Sequence, residues 1–202
     1  DIFMKNGDAN LTVTYVATVV AGFTDSQNIT VNGVASNTNV LTVAGVETVN
    51  LTSTGLKSTI DTLTTANATT LNVDGDAKLT IGVIPATAKT IDASTMTGDL
   101  VISAYDVTPA AASYSGSQGN DTVSITSGEL TQTRTLEGNG GVDTLVLLAP
   151  ADWNLLTYGN VTGFEVLGAG VIGTYDYSKL AGGVAVLSAA ASNGGGSVIF
   201  SN

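Results

Sequence analysis

Two stretches of the sequence carry residue types and spacings suited to holding a hard cation. "GSQGNDTVS" (116–124) and "GNGGVDTLV" (138–146) share one pattern, with glycine at positions one and four, aspartate at six and an apolar residue at eight. The glycines are Gly116, Gly119, Gly138 and Gly141; the acids are Asp121 and Asp143. Glycine lets a backbone carbonyl point into a tight turn, in conformations that a Cβ disfavours. The aspartate adds a carboxylate. Ca²⁺ takes roughly six to eight oxygens at about 2.3–2.6 Å and accepts carbonyls and carboxylates together. One turn supplies only part of such a shell, so a neighbouring turn has to supply the rest. The two copies lie 22 residues apart, and stacking of one on the other, about 4.8 Å away, would do so. The same ligand logic extends to Asp74 and Asp76 in "DGD" and to Asp99 in "TGD". At each position the alternative is a turn aspartate that hydrogen-bonds its own backbone.

A metal shared between turns requires elements that repeat, and short apolar runs do recur along the chain. One column begins at Ile29, Val49, Leu71 and Ile91; a second contains Leu41, Ile60, Leu79, Leu100, Val123, Leu145, Val166 and Val186. Steps of about 20 residues between two-strand units predict an all-β fold, a parallel β-helix or β-solenoid with rungs of about 20 residues. Residues 1–202 read as a single solenoid domain, a segment of a longer protein. "GDANLTV" (7–13) and "GDAKLTI" (75–81) repeat in wording as well as spacing. An antiparallel sandwich is the competing architecture, with hairpin signals at Asn32-Gly33 and Asn139-Gly140. Helix is scarce: 58–68 is too rich in Thr for a stable one. Residues 151–159 suit a short helix or turn, with Asp152 as its cap and Trp153 packed at the core or rim. Residues 105–114 and 189–197 read as loops, and "SVIF" (197–200) as a further strand.

Composition narrows the function. Charged residues are only 11%, while hydrophobic residues reach 43%, which excludes disorder of the charged, low-hydrophobicity kind. The net charge is −11 with six basic residues, too few for a nucleic-acid backbone. With no His and no Cys, imidazole catalysis, thiolate metal sites and disulfides are all excluded. No apolar run is long enough to span a membrane. Asp8, Asp25 and Asp61 read as solvated turn residues, and Asp92 as either ligand or surface. Lys5, Lys57, Lys78, Lys89, Arg134 and Lys179 are dispersed, and Arg134 beside Glu129 or Glu137 reads as a surface ion pair.

The two Gly-Asp stretches resemble the calcium-binding nonapeptides of RTX proteins, lacking only the glycine at position two, which is Ser117 or Asn139 here. "VLTVAGVETVNLTS", "AKTIDASTMTGDLVISA" and "GFEVLGAGVIGTYDYSKLAG" are similar to segments of bacterial surface-layer proteins and large secreted adhesins. RTX nonapeptides run in unbroken tandem, whereas 13 residues (125–137) separate the copies here. That spacing favours a broader β-helix with occasional calcium turns. The resemblance implies a calcium-stabilised structural segment on the bacterial cell surface, outside the cell. It would assemble with neighbouring copies and the rest of its own chain, with cell-surface polysaccharide as a candidate partner. Alternatives are an adhesin stalk, a carbohydrate- or ice-binding solenoid and, less favoured, a polysaccharide-degrading β-helix enzyme.

Overall fold

The computed structural model describes residues 1–36, 38–107, 112–126, 128–130, 133–152, 160–176, 186–189 and 198–201. Among them the chain winds as a β-solenoid, each rung giving one strand to each of two parallel sheets. The first sheet contains β1 (Ile2–Lys5), β3 (Ser26–Asn32), β5 (Thr48–Ser53), β7 (Thr70–Gly75), β9 (Thr90–Asp92), β11 (Ser113–Ser115), β13 (Thr135–Glu137) and β15 (Val161–Thr162), in that spatial order. The second contains β2 (Leu11–Val13), β4 (Val40–Val43), β6 (Ser58–Thr65), β8 (Leu79–Val83), β10 (Leu100–Tyr105), β12 (Thr122–Ile125), β14 (Thr144–Leu147), β16 (Val166–Ala169) and β18 (Val186–Ala189). Two further strands, β17 (Gly173–Asp176) and β19 (Val198–Ser201), pair separately. All of these pairings are parallel, so the Asn-Gly dipeptides at 32 and 139 mark rung corners and not hairpins.

Alternation makes these segments strands. In "TVNLTS" the residues Val49, Leu51 and Ser53 are buried and the intervening ones half-exposed, and β-branched residues suit that pleated surface. Parallel register then stacks like on like. Val49, Leu71, Ile91, Tyr114 and Leu136 form one buried row. Ile60, Ile81, Ile102, Val123, Leu145 and Leu167 form another across the core. Burial of each such side chain is worth about 1.5–3 kcal/mol, and the sum over the rows holds the stack.

The expected solenoid is thus present, but its second column is phased differently. Leu41 pairs with Leu63 and not with Ile60, while Ile60 opens the row that continues through Ile81. The cause is β6, whose first half pairs with β8 and whose second half pairs with β4. Leu79 aligns with Ser58 and Leu100, and Val166 with Thr144. Residues 113 and 114, read as the end of a loop, belong with Ser115 to β11, because Tyr114 fills the inward row between Ile91 and Leu136. The helix or turn expected at 151–159 begins as a single turn over 150–152; Trp153 and the rest lie outside the described residues, as do most of 189–197. No helix among the described residues is long and apolar enough to cross a membrane.

On the outer face of the first sheet, register places Asn28, Asn50 and Asn72 in line. The Asn72 amide donates to Asn50 Oδ1 at 2.8 Å, and the Asn50 amide to Asn28 Oδ1 at 2.7 Å. Asn50→Ala breaks both bonds at the middle of this ladder. At about 0.5–1.5 kcal/mol for a typical bond, partly recovered by water, we expect Tm to fall roughly 2–4 °C. An unchanged melting curve would show the ladder to be energetically idle.

Candidate functional site

Asp121 ends the turn that leads into β12, and Asp143 ends the turn that leads into β14. Because Thr122 pairs with Thr144, the two acids occupy corresponding corners of adjacent rungs. Both are buried. The Asp121 backbone N–H donates to Asp143 Oδ1 at 2.8 Å, so one rung's carboxylate receives the previous rung's amide.

The Asp121 carboxylate is surrounded by donors. Its Oδ1 accepts the Leu100 N–H at 2.8 Å and the Ser117 hydroxyl at 2.5 Å. Its Oδ2 accepts the Ser117 N–H at 2.5 Å and the Tyr114 hydroxyl at 3.3 Å. Burial raises its pKa, and the bonds from Ser117, Leu100 and Tyr114 pull it back only in part. The same burial, reinforced by the Asp121 charge, holds the Tyr114 phenol well above its ordinary range.

Asp143 occupies an equivalent corner with fewer partners. Its Oδ2 is buried and has no hydrogen-bond partner. Register explains the loss: Tyr114 faces Leu136 across the ladder, and position two of the turn, Ser117 in the first copy, is Asn139 in the second. The Leu136 side chain has no donor. Asn139 adopts a left-handed backbone (φ +70°) and gives its amide to Ser115 Oγ and the Gly116 carbonyl oxygen. Burial pushes the Asp143 carboxyl up to about 7; the Asp121 N–H opposes this, while the charges of Asp121 and Glu165 add to it.

The first glycine of each turn has a definite role here. A Cβ on Gly116 would run into the Gly138 carbonyl oxygen of the next rung and lie 2.5 Å from Asp121 Oδ2; one on Gly138 would run into the Gly163 carbonyl oxygen and lie 2.6 Å from Asp143 Oδ2. Each turn therefore needs glycine at position one, both for the close approach of the next rung's backbone and for its own carboxylate to fold back against the chain. Gly119 packs with Asp99 Oδ1 and the backbone at 98–99, and Gly141 (φ +106°) lies over the Gly119 carbonyl.

The residues around Asp121 do not fit a calcium shell. A cation at Asp121 would face N–H and O–H groups where it needs oxygen lone pairs, and the Gly116 carbonyl is already engaged by Asn139 at 2.6 Å. Among the described residues no group of three or more acidic side chains is placed to hold a metal. Asp74 and Asp76 are not brought to these turns, whereas Asp99 lies against the first of them, beside Gly119. Asp74 is exposed and accepts the N–H of Gly75 at 2.8 Å, and Asp76 is exposed beside it. Asp99 accepts the Asn120 N–H at 2.9 Å and lies 3.7 Å from the Lys78 ammonium. Asp92 accepts both the N–H and the hydroxyl of Ser94.

A wider pattern had a signal in the sequence that motif reading missed. Glu165 Oε2 accepts the Asp143 N–H, Glu47 the Asp25 N–H, Asp61 the Asn39 N–H and Glu129 the Val107 N–H, each 22 residues away. Asp152 accepts the Gly128 N–H from 24 residues away. Acids recurring one rung after a corner residue, such as 121, 143 and 165, are the readable sign. Asp25 and Asp61 accordingly belong to the rung corners and are not simply solvated turn residues. Arg134 also differs from its expected place on the surface. It is buried, ion-paired with Glu129 and bonded to the Val107 carbonyl oxygen at 2.5 Å. There it ties two corners together and is not exposed to a substrate.

The outer face of the first sheet has an open depression of about 420 Å³, bordered by Asp92, Ser113, Ser115, Thr135 and Glu137. Small side chains at 113 and 115 form its floor because the flanking rungs carry Thr, Asp and Glu in the same rows. Comparison with family models, curated proteins and solved structures found no match.

Proposed function

We propose that this chain is a structural segment of a bacterial surface-layer protein, working outside the cell as an extended scaffold without enzymatic activity. The observation that supports this best is where its acids are used. Eight carboxylates among the described residues accept backbone N–H groups from a neighbouring rung. Side chains that an enzyme would present to a substrate are here spent on joining rung to rung. The burial of Arg134 and Glu129 removes the basic–acidic pair most suited to glycan cleavage. The resemblance to surface-layer segments supplies the location, and the repeating outer rows supply surfaces that neighbouring copies can meet in register.

Assembly is the property to measure. With a net charge of −11, isolated chains repel at low ionic strength. Divalent ions and rising concentration should bring them into ordered sheets or filaments, read by light scattering and electron microscopy. A particle size that stays constant across concentration and across calcium and magnesium titrations would remove this reading. Soluble glycan added to the same samples tests the polysaccharide partner: binding should survive removal of divalent ions and weaken in Glu137→Gln, which borders the outer depression.

A further inference from the structure

The two Gly-Asp turns carry the spacing of cation sites, yet at Asp121 hydrogen-bond donors occupy the place a cation would take. At Asp121 four hydrogens converge on the two carboxylate oxygens, from Leu100 N–H, Ser117 N–H, Ser117 Oγ–H and Tyr114 O–H. A cation entering this corner would meet the positive ends of those dipoles. To coordinate it, Asp121 would have to release its donors and leave them buried without partners. Each such loss costs about 1–3 kcal/mol, and Leu100, Ser117 and Tyr114 are all buried. The glycines have an explanation that needs no ion, since position one must leave room for the next rung's carbonyl oxygen and for the carboxylate itself.

We propose that these turns are metal-independent clasps, in which backbone and hydroxyl donors take the place of a calcium ion, Asp121 being the complete clasp and Asp143 the incomplete one. Asp143 keeps the rung-to-rung bond from the Asp121 N–H. It lacks the counterparts of Tyr114 and Ser117, because Leu136 and Asn139 stand in those places. Its Oδ2 is left buried and unpartnered, beside Asp121 on one rung and Glu165 on the next.

The full chain and two variants, Asp143→Asn and Asp121→Asn, are melted at pH 8 in excess calcium and in excess chelator. The wild-type Tm should be the same in both. Asp143→Asn removes an unpartnered buried charge and should raise Tm by a few degrees, equally with and without calcium. Asp121→Asn turns an acceptor oxygen into an amide that faces the Ser117 and Tyr114 donors, and should lower Tm equally in both. A calcium-dependent rise shared unchanged by all three chains places the ion elsewhere on the acidic surface and leaves the clasp standing. A rise in the wild type that Asp143→Asn abolishes overturns the proposal. If Asp121→Asn does not fold, the wild type and Asp143→Asn decide alone. Failure here does not touch the scaffold reading, which scattering tests separately.

Discussion

Acidifying this protein from pH 8 to pH 5 should raise its melting temperature, against the usual behaviour of a chain rich in carboxylates. Folding lifts Asp143 from the ordinary 3.8 to about 7, chiefly by burial. Between those values the native state holds a proton that the unfolded chain has released. The stabilisation is therefore complete below about pH 4 and is lost as pH rises through about 7. A shift of about three units is worth at most about 4 kcal/mol, and for a chain of this length that corresponds to roughly 5–15 °C. Asp121 and Asp152 are also raised by burial, which adds to the same slope. The groups facing Asp143 are Asp121, Glu165 and Tyr114, none of them a cation. Loss of surface charge toward the pI of about 4.1 reduces self-repulsion in the same direction. Calorimetry in steps across pH 4 to 8 is the check, and Asp143→Asn should flatten the slope near pH 7. A Tm that rises with pH over that range would show that Asp143 is charged and well solvated in the folded state.

Gly75→Ala should be among the most damaging single substitutions in the chain. Gly75 closes β7 with φ +117°, a conformation that an L side chain rarely adopts. A Cβ there would be driven into the Ser53 carbonyl oxygen of the preceding rung. On its other side the Gly75 carbonyl accepts the N–H groups of Thr97 and Gly98, at 2.9 and 3.2 Å. Backbone below and backbone above leave no flexible group to give way. A loss of about 3–5 kcal/mol is expected, the range of substitutions that force strain and break a ladder together, or roughly 10 °C in Tm. Gly128→Ala separates the two causes. Its φ is +82°, but nothing lies within 4 Å of the added Cβ, so only the backbone cost of about 1 kcal/mol should appear. Equal losses at the two positions would mean that stacking contributes nothing.

The solenoid itself was legible in the chain because its cause is local. A strand buried on one face needs alternation, a parallel stack needs the same alternation every rung, and both are written in runs such as "TVNLTS" and "TLNVDG". The repeat of Gly116, Gly119 and Asp121 at 138, 141 and 143 places two carboxylates at corresponding corners by spacing alone. Phase was less legible. Ile60 and Leu63 lie three residues apart in one strand, and only pairing on both sides of β6 decides which joins which row.

What the carboxylates do at those corners was decided by tertiary structure alone. Position six of each turn reads as a ligand in either copy, yet the partners of Asp121 include Leu100 from the preceding rung and Tyr114 from the opposite sheet. Neither belongs to the turn, so no spacing within it could reveal that the oxygens meet hydrogens and not a cation. Arg134 makes the same point, since its burial depends on the Val107 carbonyl 27 residues away. The sequence alone determined where charge would recur along the stack, because recurrence is a property of spacing. Whether each charge meets a donor, a proton or nothing depends on groups that only the closed rungs bring within hydrogen-bond distance.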